Sequence, residues 1–143
     1  MATMRKLFMS LLLLFSLTLR MQAYYVRSGS CSVDVVNDMK TPIDVNCWSG
    51  DDDLGYVTVR PLCDYHFEFD PNIFGTTLFL CKFEWGVRRQ QIKVWKGDAY
   101  KDQLQCSDDG PCVWKVTTRG FYWSNQTEGD AFSWTFYTDW STS

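Results

Sequence analysis

The chain has 143 residues, 24 of them aromatic, with 14 basic and 17 acidic side chains and a formal net charge of −3. That length admits one domain of ordinary size. The acidic balance repels phosphate backbones and anionic lipid, so neither nucleic acid nor a membrane is an expected partner.

The first residues read as an address. Arg5 and Lys6 precede an apolar run, Leu7 to Leu19, broken only by Ser10, Ser16 and Thr18, and Met21-Gln22-Ala23 ends on a small residue suited to cleavage. At about 13 residues the run falls short of the ~20 that span a bilayer. A signal peptide over residues 1–23 is therefore expected, with secretion and a single mature domain over residues 24–143. Losing Arg5, Lys6 and Arg20 leaves 11 basic against 17 acidic residues, a mature charge of about −6. All six cysteines, Cys31, Cys47, Cys63, Cys81, Cys106 and Cys112, fall in the mature part. An even count in a secretory chain implies disulfides, with 15 connectivities open to six cysteines.

From there the chain alternates. Cys31–Asn37 places Cys31, Val33 and Val35 on one face, and Ile43–Trp48 does the same with Ile43, Val45 and Cys47. Asp51-Asp52-Asp53, flanked by Gly50 and Gly55, reads as an exposed connection before a strand over Tyr56–Arg60, which Pro61 ends. Cys63–Trp85 reads as two strands joined by a turn. Tyr65, Phe67 and Phe69 share one face of the first, and Phe79, Cys81, Phe83 and Trp85 share one face of the second. Asp70-Pro71-Asn72 and Gly75 supply the turn chemistry between them. Strands are also expected over Gln91–Trp95, Cys112–Val116, Gly120–Trp123 and Ala131–Phe136, with a polar loop from Lys96 to Pro111. A side-chain period of two marks each as a strand, because successive side chains leave a pleated backbone on opposite sides. About nine short strands without a helical period or an internal repeat predict an all-β fold, a small antiparallel β-sandwich.

The chemistry-bearing residues point away from catalysis. His66, the only histidine, lies on the polar face of its strand with no nucleophile placed beside it by any motif. Asp51–Asp53 lacks the alternate spacing and distal bidentate carboxylate of a calcium loop. Glu68, Glu84 and Asp64 are carboxylates for a glycosidase pair only if something fixes their separation, and the sequence does not. No catalytic, metal or cofactor residue is assigned. Asn125-Gln126-Thr127 is a glycosylation acceptor at Asn125. Trp48, Trp123, Tyr137 and Trp140 are the aromatics least tied to an inward face; exposed together they would line a carbohydrate-binding groove, the second reading of the chain.

Four segments taken in order, VNCWSGDDDLG (45–55), YHFEFDPNIFGTTLFLCKFEW (65–85), CVWKV (112–116) and GFYWSN (120–125), resemble the plant self-incompatibility protein S1 family, the S-protein homologues. The resemblance covers roughly Val33 to Trp140. It implies a small secreted β-sandwich from a plant, acting as an extracellular signalling ligand read by a cell-surface receptor; in the founding case the setting is pollen–pistil recognition. Cys47, Cys81, Cys106 and Cys112 match the family's four cysteines. Cys31 and Cys63 depart from the pattern, Cys63 standing where a turn glycine is usual, and they are expected to form a third bridge with each other. Receptor contact is expected at the end loops, Ser49 to Gly55 with Asp51, Asp52 and Asp53, and Lys96 to Pro111 with Asp98, Asp102, Asp108 and Asp109.

Overall fold

The computed structural model describes residues 3–12, 31–97, 99, 106, 111–125 and 133–142. Residues 3–12 are helical and belong to a unit, Met1–Ser30, separate from the β-rich unit Cys31–Ser143. Among the described residues no helix is long and apolar enough to cross a membrane.

Ten strands form the second unit: β1 (Cys31–Asn37), β2 (Ile43–Trp48), β3 (Asp53–Val59), β4 (Asp64–Phe69), β5 (Leu78–Trp85), β6 (Arg88–Lys96), β7 (Cys112–Thr117), β8 (Gly120–Asn125), β9 (Thr135–Thr138) and β10 (Ser141–Thr142). They pair into two five-stranded sheets, β4-β1-β7-β8-β9 and β10-β6-β5-β2-β3. All pairings are antiparallel except β1 with β7, which run parallel. The fold is a β-sandwich.

The strands read from alternation lie where the pattern puts them, and the inward faces make one core. Val33 and Val35 of β1, Trp114 and Val116 of β7 and Phe121 of β8 meet Val45 of β2, Phe83 of β5 and Ile92 and Val94 of β6, all at 1% exposure or less. Phe67 and Phe79 are buried as well. The two strands of the Cys63–Trp85 stretch part company: β4 edges the first sheet while β5 runs through the middle of the second. Their aromatics meet again across the sandwich, Phe69 and Phe79 with ring centroids 4.3 Å apart and Phe67 and Phe79 5.2 Å apart. Phe69 also meets Trp95 edge-on at 4.9 Å. A second aromatic group, Phe83, Phe121, Trp140 and Trp85, closes the other end of the core through contacts of 4.7–5.5 Å.

Two local devices satisfy polar groups inside this core. The β5–β6 register skips Val94 between Lys93 and Trp95, and a bulged residue leaves the ladder. The Val94 carbonyl accepts the Trp114 indole N–H at 3.0 Å, so a buried tryptophan of one sheet is anchored on the other. Asn37, fully buried at the end of β1, gathers two turns and the end of β3. Its Nδ2 donates to the carbonyls of Thr41 (2.9 Å) and Val59 (3.0 Å), and its Oδ1 accepts the Met39 N–H at 3.1 Å. Its backbone exchanges bonds with Cys63 and Leu62 at 2.9 and 3.0 Å. The β3–β4 turn so held carries its positive φ at Leu62 (59°), one residue before Cys63.

Several element boundaries differ from the sequence expectation, and β10 is a strand the alternation did not mark. β3 begins at Asp53, so the aspartate run is half turn and half strand. β6 begins at Arg88, because Gly86 takes φ 58° at the first central position of a two-residue hairpin loop. β9 covers Thr135–Thr138, later than Ala131–Phe136, and residues 131 and 132 lie outside those described.

Candidate recognition site

At one end of the sandwich the β2–β3 turn faces the loop joining β4 to β5. The turn is closed by Ser49: its hydroxyl accepts the N–H groups of Asp51 (3.4 Å) and Asp52 (3.1 Å), and its own N–H donates to the Asp52 carbonyl at 2.7 Å. Asp53 Oδ1 accepts the Gly55 N–H at 2.9 Å. All three aspartates are exposed, so their carboxylates are available to a partner while the backbone beneath them is fixed. Between turn and loop lies an open cleft of about 490 Å³, lined by Trp48, Asp51, Asn72, Thr77, Leu78 and Leu80. An aromatic wall beside a carboxylate suits a cationic or mixed apolar–basic side chain.

The second expected loop falls largely outside the described residues, Asp98, Asp102, Asp108 and Asp109 among them. The described Gly97 and Ala99 bond to Thr77 and Gly75, so the chain leaves β6 alongside the β4–β5 loop. Asn125 is the last residue of β8, opposite Cys112; its side chain, with Gln126 and Thr127, lies outside the described residues. The four aromatics singled out do not assemble into a groove. Trp48 lines the cleft, Trp123 packs against the core, Tyr137 sets its edge against Trp114 at 5.2 Å, and Trp140 is buried against Phe121 and Trp85.

The cysteines divide into two bridges, Cys47–Cys81 and Cys106–Cys112. The first joins register partners on adjacent strands of the second sheet. The expected Cys31–Cys63 bridge is corrected. The β1–β4 register sets Cys31 opposite Phe69, whereas Cys63 precedes Asp64, which lies opposite Val36. The two therefore sit at opposite ends of a strand pair, roughly 17–20 Å apart at ~3.4 Å per residue, and a disulfide tolerates at most about 7 Å between Cα atoms. Cys63 is half-buried and carries no disulfide.

Two features escaped the sequence reading. On the outer face of the first sheet, His66 lies between two carboxylates, with Nδ1 2.6 Å from Asp34 Oδ1 and Nε2 3.3 Å from Glu68 Oε1. The hydrogen bond to Asp34 raises its pKa above 6.5, helped by Glu68 and opposed by partial burial. The histidine is thus held between two carboxylates, with both ring nitrogens engaged. Asp34 comes from β1, 32 positions earlier, so only the register reveals the pairing. The second feature is the apolar tip Ile73-Phe74 of the β4–β5 loop, 93% and 78% exposed, hidden in a stretch that reads simply as a turn.

Comparisons with known proteins agree on one family. The family model for plant self-incompatibility protein S1 matches residues 32–140. S-protein homolog 5 of Arabidopsis thaliana is 36% identical over 89 residues, which are 57% of this chain and 68% of the homolog. S-protein homolog 2 of the same plant is 33% identical over 96 residues, 62% of this chain and 56% of the homolog. Self-incompatibility protein S1 of Papaver rhoeas is 34% identical over 88 residues, 59% of each chain. Among solved structures, an SPH (Self-Incompatibility Protein Homologue) chain, from a family described as small, highly stable, secreted plant proteins, shares the fold with a TM-score of 0.52. That match has 13% identity and covers 75% of this chain and 96% of the other. The chain belongs to the plant self-incompatibility protein S1 family.

Proposed function

We propose that this protein is a secreted, non-enzymatic signalling ligand, recognised outside the cell by a surface receptor through the sandwich end that carries Asp51, Asp52 and Asp53. The observation that carries the reading is the pinned, exposed aspartate turn bordering a cleft with an aromatic wall. A rigid scaffold that presents loops at one end is the usual arrangement of a binding domain, and exposed carboxylates steer a basic partner surface. The apolar run after Arg5 and Lys6 supports export of the domain, and the Asn125-Gln126-Thr127 acceptor supports a glycan on it. Self-incompatibility, which the Papaver rhoeas relative's name carries, is one biological context for such a ligand. A carbohydrate-binding module is less well supported, because Trp123 and Trp140 pack inward and leave Trp48 without a coplanar partner.

The test is saturable, competable binding of the tagged mature domain to the surface of plant cells. Replacing Asp51, Asp52 and Asp53 by asparagine should slow association and flatten its salt dependence without lowering thermal stability, since exposed charges add little to it. Unchanged association of the triple variant at low salt would remove these residues from the interface.

A further inference from the structure

The β4–β5 loop presents Ile73 at 93% exposure and Phe74 at 78%, and it is not a loose excursion. Asn72 closes it from within: Oδ1 accepts the Thr76 N–H at 3.0 Å and Nδ2 donates to Thr76 Oγ1 at 2.7 Å. The Asn72 N–H donates to Thr77 Oγ1 at 2.8 Å. Gly75 makes the return at φ 69°. The base is then clamped from the start of the next connection, Gly97 N–H to the Thr77 carbonyl (2.9 Å) and Ala99 N–H to the Gly75 carbonyl (3.0 Å). The approach is so close that a Cβ on Gly97 would collide with the Gly75 carbonyl. A fixed loop is thus built around two adjacent large apolar side chains that touch almost nothing of their own protein. Single exposed apolar residues are ordinary, but an adjacent pair held out on a rigid tip beside a cleft has the makings of an interface anchor. Preorganisation reduces the entropy lost when such an anchor is seated.

Resting on the receptor-ligand reading, we propose that Ile73 and Phe74 are the binding anchor of this protein, and that they enter an apolar socket rimmed by basic side chains on a partner protein. The choice of a protein over a lipid surface comes from charge. Among the described residues, the exposed ionised groups of the two connections that border the cleft are carboxylates, Asp70 beside the tip and Asp51, Asp52 and Asp53 at the β2–β3 turn, whereas loops that enter membranes carry lysine and arginine to meet anionic headgroups. The carboxylates set orientation and association rate, and the apolar pair sets residence time.

The test measures binding of the fluorescent mature protein to plant protoplasts from flower, root and leaf, intact and trypsin-shaved. Phosphatidylcholine vesicles with and without phosphatidylserine are the lipid probes. The expected result is saturable binding to intact protoplasts of at least one tissue, lost on shaving and absent from both vesicles. Ile73→Ser/Phe74→Ser should weaken it by about 30-fold or more, mostly through faster dissociation, as for truncated anchors elsewhere. Its melting temperature should stay within about 2 °C of the parent, and Ile73→Leu/Phe74→Leu should retain affinity within about threefold. If the serine variant binds like the parent while the Asp51–Asp53 triple variant is weakened, the anchor is refuted and the receptor reading stands. Binding that survives shaving and appears on vesicles would mean a lipid target and overturn the proposal. No saturable binding to any tissue would overturn the anchor and the receptor reading together.

Discussion

Asn37→Ala offers a sharp test of what holds the sandwich together. Asn37 is 0% exposed and makes three side-chain hydrogen bonds, to Thr41, Val59 and Met39, at 2.9, 3.0 and 3.1 Å. The Thr41 carbonyl borders solvent and can turn to water. The Val59 carbonyl and the Met39 N–H are buried, and each left unpaired costs about 1–3 kcal/mol. With a small cavity added, the loss should be about 2–5 kcal/mol, a large share of the ~5–15 kcal/mol that holds a domain of this size. Urea unfolding of the oxidised protein, followed by tryptophan fluorescence, measures it. Thr58→Ala, which removes a single exposed hydrogen bond to Asp44, is the control and should cost below about 1 kcal/mol. Hydrogen exchange should show the Met39 amide newly unprotected. A loss for Asn37→Ala no larger than the control's, with Met39 still protected, would refute the idea that this side chain clasps the β1–β2, β3 and β3–β4 segments.

Three further outcomes are expected. Phe67→Ala, which empties a site against Phe69, Phe79 and Tyr65, should cost ~3–5 kcal/mol and block secretion. His66→Ala on the opposite face should be secreted normally, and equal secretion of the two would show the faces reversed. The His66 pair with Asp34 and Glu68 raises the folded pKa above the unfolded value of about 6.5. Its stabilisation is therefore complete below that value and disappears as pH rises through the folded pKa. With the side chain 45% exposed, the effect should stay under about 1 kcal/mol. An NMR titration of the ring protons, and a urea midpoint that falls as pH rises through that titration in the parent but not in His66→Gln, would check both halves. Leu62→Gly should stabilise the fold by up to about 1 kcal/mol, because Leu62 is exposed at φ 59° and only glycine occupies that region freely; a lower urea midpoint for the variant would contradict this.

Much of the scaffold was legible because its faces are chemically pure. β4 alternates apolar and polar residues without interruption, β1, β2 and β7 depart from alternation only at Val36 and Asn37, Trp48 and Val113, and β5 keeps Phe79, Cys81 and Phe83 on one face, so period alone locates these strands and places Phe67, Phe79, Phe83 and Trp114 in the core. What the period does not contain is pairing. It cannot show that β1 runs parallel to β7, that β4 and β5 belong to different sheets, or that Cys31 and Cys63 lie at opposite ends of one strand pair. The Asp34–His66–Glu68 cluster was invisible for the same reason, since it exists only through the β1–β4 register. β6 was shortened because Arg88 to Gln91 offers no apolar alternation. The aspartates of the candidate site were readable as an exposed run, but Ile73 and Phe74 were not. Beside proline, asparagine and glycine they pass for filler, and only their exposure in the folded chain separates them from core residues of the same type.

The Cys47–Cys81 bridge has a consequence for how the chain matures. Its sulfurs belong to residues directly opposite each other on β2 and β5. A slip of one position in either strand would turn one cysteine to the other side of the sheet. Aligned strands hold the two thiols directly opposite each other, so correct β2–β5 pairing favours closure of this bond, and the closed bond in turn resists slippage of the register. Among the six thiols it is the sheet register that favours this pair, and the bond, once closed, ties the central strands in that alignment.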